Sequence, residues 1–212
     1  MSGSWSQVIS GIERATDPNN DGDTSDHLDI LSMSLGGGGN PDDPVSQAVD
    51  NAVRAGVISV ISAGNSGPFE RTIGSPGTAR KAITVAASDK YDNIAYFSSR
   101  GPVVWENSDG KIQIMNKPDI SAPGVSICAA EWDDAWASRK CLDDKHVAIS
   151  GTSMAAPHVS GAAALLKQKN PSLSPEDIKM ILKNTALVLT DIGTGSPYPL
   201  NTQGNGRIDL IP

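Results

Sequence analysis

Two hydrophobic periods alternate along this chain. Trp5, Val8, Ile9, Ile12 and Ala15 recur at helical spacing and predict an amphipathic helix over Trp5–Ala15. Leu28, Ile30, Leu31, Met33 and Leu35 give a mostly apolar run, as a buried strand requires. Asp43-Pro44 then opens a helix to Ala55, with Val45, Ala48, Val49, Ala52 and Val53 on one face and Gly56 as its stop. Val57–Ala63 reads as a second buried strand and Ala82–Ala87 as a third. A strand, a helix and a strand joined by short connections predict a right-handed crossover between parallel strands. Val103–Met115 reads as a polar insertion forming a hairpin, and Val125–Ala130 as a fourth strand. Trp132–Lys145 is a surface excursion, and Val147–Ser150 leads back from it. A helix of small apolar residues follows to about Lys169, buried on most sides because small residues let neighbours approach. Asn170-Pro171 breaks it, and Ser174-Pro175-Glu176-Asp177 caps a last helix through Asn184. The fold class is therefore α/β, with a parallel sheet between helices.

Composition narrows the function. The chain has 212 residues, enough for one core-bearing domain, and neither a repeat nor a dividing linker is visible in it. A net charge of −7 leaves no surplus of cations for phosphates, so nucleic acid is not an expected partner. No run of 18 apolar residues occurs, so no membrane span is expected. The opening residues Met1–Trp5 lack the basic and apolar parts of a secretory signal. Cys128 and Cys141 are either a disulfide closing a short loop, if the protein is secreted, or two free thiols. Asp17, Asn19, Asp21 and Asp23 alternate around Gly22 like the front half of a calcium loop. The twelfth position, usually a bidentate Glu, is Leu28, and Asp26 is a further candidate ligand. Two readings stand there, a calcium site or a solvated acidic turn.

The densest chemistry lies in Gly151-Thr152-Ser153-Met154-Ala155-Ala156-Pro157-His158. Gly151 permits a sharp bend, and Thr152 is the predicted cap of the helix that follows. Ser153 then sits at a helix N-terminus, where free N–H groups and the helix dipole favour negative charge. That placement suits a nucleophile whose reaction develops an oxyanion.

This segment resembles the active-site serine segment of subtilisin-like serine proteases. Three further stretches resemble the same family, in the same order. Ser32-Met33-Ser34-Leu35-Gly36-Gly37 resembles the strand whose backbone pairs with substrate, which implies substrate-binding roles for Ser34, Leu35, Gly36 and Gly37. Ser62-Ala63-Gly64-Asn65-Ser66-Gly67 resembles the oxyanion segment, with Ala63 and Gly64 beside substrate and the Asn65 amide completing the hole with the Ser153 N–H. Ile73-Gly74-Ser75-Pro76-Gly77 resembles the floor of the primary specificity pocket, with Gly74 at its base. The resemblance implies a three-layer subtilisin-like fold and peptide hydrolysis by acyl transfer through Ser153. It also implies a secreted protein acting on peptide or protein substrates.

The family's triad runs Asp, His, Ser along the chain. Neither its Asp-Thr-Gly-like strand end nor its His-Gly-Thr-His helix start occurs here. Of the three histidines, His158 lies about 140° round and ~7.5 Å along a helix from Ser153, and so points away. His27 borders the acidic loop and His146 a short strand. Residues 1–212 are thus expected to be the C-terminal part of a subtilisin-like catalytic domain. Such a part is inactive alone, needs the N-terminal segment as a partner, and is prone to self-association through the Leu28–Leu35 edge. A scaffold that binds peptide without cleaving it is the other reading.

Overall fold

The structure, a computed structural model, describes residues 3–133 and 137–210. Four parallel strands form its central sheet: β1 (Ile30–Met33), β2 (Ile58–Ser62), β3 (Ile83–Ser88) and β6 (Ile120–Pro123), in the order β1-β2-β3-β6. β4 (Val103–Glu106) and β5 (Ile112–Met115) form the hairpin expected between Val103 and Met115. β7 (Ile127–Ala130) and β8 (His146–Ile149) form a separate antiparallel ribbon.

The fourth strand corrects the sequence reading. Ile120–Pro123, not Val125–Ala130, completes the sheet, through Val85↔Ile120 and Ala87↔Ala122. Ile120 and Ala122 are fully buried, whereas Cys128, Ala129 and Ala130 on β7 are exposed. β1 is also shorter than the Leu28–Leu35 run, and Leu28 and Leu35 are exposed.

Helices cover both faces of the sheet. α1 (Trp5–Thr16) starts on a capping box in which Ser4 and Gln7 bond each other's backbone. α2 (Pro44–Ala55) has Asp43 as N-cap and Gly56 as a left-handed C-cap at φ 117°. On their side, Ile12, Val45, Val49 and Ala52 pack against Met33 and Ile61. α3 (Thr152–Lys169) and α4 (Pro175–Asn184) lie on the other side. There Ala155, Ala156, Val159, Ala162, Ile178 and Leu182 pack against Ile58, Val60, Val85 and Ile120. Alternate residues of β2 thus feed two cores, the period-2 consequence of a strand pleat. A short α5 (Leu200–Gln203) closes the carboxyl end of the described chain.

α3 is not buried on most sides. Its buried stripe is Thr152, Ala155, Ala156, Val159, Ala162 and Ala163, while Pro157, His158, Gly161, Ala164 and Leu165 are exposed. The small residues allow a close approach to the sheet, and only that one face meets it among the described residues.

Candidate active site

The carboxyl ends of β1 and β2 and the start of α3 meet at a cleft of about 1120 Å³. Open α/β sheets present ligand sites at this end, because strand termini and helix N-termini leave backbone groups unpaired there. Ser34, Leu35, Gly36, Gly37, Ala63, Gly64, Asn65, Gly74 and Ser153, from four separate stretches, all line it. The glycine strand is bound edgewise to the loop opposite, with Gly37 N–H donating to Ser75 O at 2.9 Å. A Cβ on Gly74 would lie 2.3 Å from the Gly37 carbonyl oxygen, so wall and floor can touch only through glycine.

Asn65 is oriented by the residue predicted to cap α3. Thr152 is instead the first residue of that helix, and its N-cap is Gly151, with no side-chain capping bond. The Thr152 N–H and Oγ1 both donate to Asn65 Oδ1, at 2.9 and 3.0 Å, and Oγ1 accepts from Gly64 N–H at 3.1 Å. With its oxygen so fixed, Asn65 must turn its Nδ2 the other way. A Cβ placed on Gly151 would be 3.5 Å from Asn65 Nδ2 and 3.6 Å from the Ser153 nitrogen. The Asn65 amide nitrogen and the Ser153 backbone nitrogen, from distant parts of the chain, thus lie close to one point beside Gly151. An oxyanion hole needs such a pair, set before charge develops.

No histidine lines this cleft. His27 packs its Nε2 against Gly56 at the end of α2 and its Nδ1 against the Leu28 carbonyl. His146 Nδ1 lies 2.6 Å from Asp143 Oδ1, which holds the Asp143 carboxyl below its usual range. His158 is exposed, with Nδ1 2.8 Å from the Met154 carbonyl of its own helix.

Sequence reasoning missed several lining residues. Trp5 and Val8 were assigned to a helix face, yet both line the cleft, and the Trp5 indole lies directly against Gly37. Arg71 is the one charged residue among the described residues that line it. Its backbone is at φ 61°, an uncommon conformation for a side-chain-bearing residue. Arg71 N–H donates to Gly101 O at 3.3 Å and Thr72 N–H to Arg100 O at 2.9 Å. The sequence signal was available, since an arginine follows Asn65 by six positions in an acidic chain.

The acidic loop is held as a tight turn by its own side chains. Asp17 accepts from Asp21 and Gly22 N–H, Asn19 from Asp21 N–H, Asp21 from Asp23 N–H and Asp23 from Ser25 N–H. These are the side-chain-to-backbone bonds of a tight turn. Asp26 is exposed in a 3₁₀ turn. Among the described residues no group of three or more His, Cys, Asp or Glu is gathered, so nothing in the loop shows a calcium site. Cys128 and Cys141 are bonded, S–S 2.05 Å, and tie β7 to the excursion beyond it. Trp132 is exposed, and residues 134–136 of that excursion lie outside the described residues, as do Met1 and Ser2.

The Subtilase family model matches residues 1–206. The chain belongs to the subtilase family of serine proteases. It is 40% identical over 199 residues to Serine protease AprX of Bacillus subtilis (strain 168), covering 86% of this chain and 43% of that protein. It is 37% identical over 192 residues to Subtilisin DY of Bacillus licheniformis, covering 90% of this chain and 58% of the relative. The chain thus spans about half the length of these curated relatives. Among solved structures, Sphericase superposes with a TM-score of 0.76 at 32% identity, over 99% of this chain and 65% of that one. The parallel sheet between helices is the subtilase architecture.

Proposed function

We propose that this subtilase chain supplies the nucleophile, oxyanion hole and substrate walls of a serine endopeptidase. The observation that carries the reading is the closeness of Asn65 Nδ2 and the Ser153 nitrogen to one point beside Gly151. Ser153 Oγ attacks the peptide carbonyl carbon, and the carbonyl oxygen takes up negative charge as the C=O bond opens. Asn65 and the Ser153 N–H donate to that oxygen, more strongly as its charge grows. The peptide lies along Ser34–Gly37 and Ala63–Gly64, with one side chain directed to Gly74. The Oγ proton passes to a base and then to the leaving amine, and water releases the acyl group.

The base is the part this reading places outside residues 1–212. All three histidines have other partners away from the cleft. Without a base Ser153 stays a neutral hydroxyl, a weak nucleophile. Residues 1–212 are therefore read as the C-terminal part of a catalytic domain, inactive until an Asp- and His-bearing segment joins it. Two features support a partner segment. β1 is an edge strand of the described sheet, and α3 leaves Gly161, Ala164 and Leu165 exposed. Self-association through β1 is the expected behaviour when that segment is withheld. Secretion fits the Cys128–Cys141 bond, which persists in oxidising surroundings. No helix among the described residues is long and apolar enough to cross a membrane.

The test is hydrolysis of a peptide ester by the chain alone and after addition of a family Asp/His segment in trans. Activity that appears only on addition and is lost with Ser153→Ala supports the reading. Activity of the chain alone that is lost with Ser153→Ala overturns the external base, and His27 and His146 become the next residues to replace. Peptide binding without hydrolysis under either condition favours the scaffold reading.

A further inference from the structure

The carbonyl of the proposed nucleophile has lost its place in its own helix. In α3 the Ser153 carbonyl would accept the amide four residues on, but that residue is Pro157, which has no N–H. The pyrrolidine ring also crowds the carbonyl four residues before it, which is again that of Ser153. Pro157 lies inside the helix, past the first turn where proline is readily accommodated. One residue therefore both removes the donor and pushes the acceptor out of line, at the residue whose geometry matters most.

The missing donor comes from across the fold. Ser34 Oγ donates to Ser153 O at 2.8 Å, over 119 positions of sequence. Ser34 directly follows β1 and begins the glycine-rich wall of the cleft. Two turns along the helix a similar bond recurs, from Ser160 Oγ to Ser32 Oγ at 2.8 Å. β1 and α3 are thus joined side by side by hydroxyls, with one of these bonds ending on the reacting residue. Ser34 is exposed, so water could satisfy its hydroxyl, and burial does not force this bond.

We propose that Ser34 is a positioning residue for Ser153, its hydroxyl standing in for the amide that Pro157 lacks. A held carbonyl fixes ψ at Ser153, and with it the direction of Oγ and the seating of the first helical turn. The same bond ties that turn to the strand on which substrate is expected to lie. This rests on the reading of Ser153 as nucleophile. It differs from the substrate-contact role expected for Ser34, because it uses the side-chain oxygen and needs no substrate.

The experiment reads the Ser153 carbonyl carbon by NMR in labelled full chain, with no substrate present. Ser34→Ala should shift that resonance as the hydrogen bond is lost, and Ser34→Thr, which keeps the hydroxyl, should leave it near its original position. In a Pro157→Ala background residue 157 regains an amide, so Ser34→Ala should then move the resonance little. An unmoved resonance in Ser34→Ala with Pro157 present, or an equal shift with and without Pro157, overturns the proposal. Because no turnover is needed, this result is independent of whether the chain proves to be a protease. A kinetic arm uses the chain under whichever condition gives hydrolysis. There Ser34→Ala should lower kcat about fivefold to tenfold with KM unchanged, and Ser34→Thr should restore it. A raised KM with unchanged kcat would make Ser34 a substrate contact instead and overturn the positioning role.

Discussion

The two ends of the parallel sheet solve opposite problems. At the carboxyl ends of β1 and β2, Gly36–Gly39, Asn65 and Ser153 line an open cleft. At the amino ends of β3 and β6, charge is shut away. Lys117 is 1% exposed and Asp119 5%, and Lys117 Nζ meets Asp119 Oδ2 at 2.5 Å and Ala82 O at 2.8 Å. α4 adds Lys179, 3.1 Å from Asp119 Oδ1, and Lys183, 3.8 Å away, while Thr84 N–H donates to Oδ2 at 2.8 Å. One carboxylate thus serves three ammonium groups. Burial alone would raise the Asp119 pKa, but Lys117 and Lys179 outweigh it and bring it down to about 2. Burial lowers Lys117 to about 8, because its share of that carboxylate does not make up for lost water. The same sheet therefore lines an open cleft with polar residues at one end and pairs its buried charges at the other, where nothing can enter.

The comparison predicts that mutations at the two ends separate activity from stability. Under conditions that give hydrolysis, Ser153→Ala should remove about 10⁶ of kcat, and Asn65→Ala about 10² to 10³. Both figures come from subtilisin itself, a member of this family, and are carried over here. The melting temperature should stay within about 1 °C for Ser153→Ala, whereas Asn65→Ala also removes the acceptor of two Thr152 hydrogen bonds and should cost about 1–3 kcal/mol. Asp119→Ala should do the reverse. It leaves three lysines without their carboxylate, at a cost of about 3–5 kcal/mol. In a chain of this size that lowers the melting temperature by roughly 10 °C, read by calorimetry. Loss of activity per folded molecule in Asp119→Ala would break the separation.

Titration offers a finer test of the buried end. The Asp119 carboxyl is lowered from 3.8 to about 2, so its stabilisation is present above pH 3.8 and is lost as pH falls toward 2. Lys117 is lowered from 10.5 to about 8, so between those values the unfolded chain holds the extra proton and stability rises with pH. Denaturant melts from pH 8 to 10 should show that rise, and it should be missing from Lys117→Met. The smallest effect belongs to Arg71, the one charge at the open end among the described residues. Arg71→Glu should change the kcat/KM ratio between acidic and basic peptide esters by up to about fivefold, the reach of a solvated ion pair.

What was legible in the sequence was what neighbours in sequence decide. α2 could be placed because Asp43, Pro44 and Gly56 mark its ends by local chemistry. The four lining segments could be found because each carries its residues contiguously. The fourth strand was misplaced because Val125–Ala130 is apolar too, and only pairing with β3 selects Ile120–Pro123. Thr152 looked like a cap by local rules, but Gly64 and Asn65, 88 and 87 positions away, claim its hydroxyl. Trp5 has the spacing of a core residue, and nothing local tells a core-facing indole from one at the rim of a cleft. The node around Asp119 draws on β3, α4 and the approach to β6, so no single stretch announces it.

Under the proposed function, the bond between Cys128 and Cys141 has a consequence for the chain's own survival. An exposed excursion on a protease is also food for its neighbours, since exposed loop tips are where cleavage begins. Here the excursion is held at both feet, by the disulfide and by the β7–β8 ribbon. A cut between the two cysteines would leave the pieces covalently joined and the ribbon paired. Such a nick would be silent on a non-reducing gel and would appear as two fragments once a thiol is added. Self-digestion at this site would mark the molecule without dismantling it.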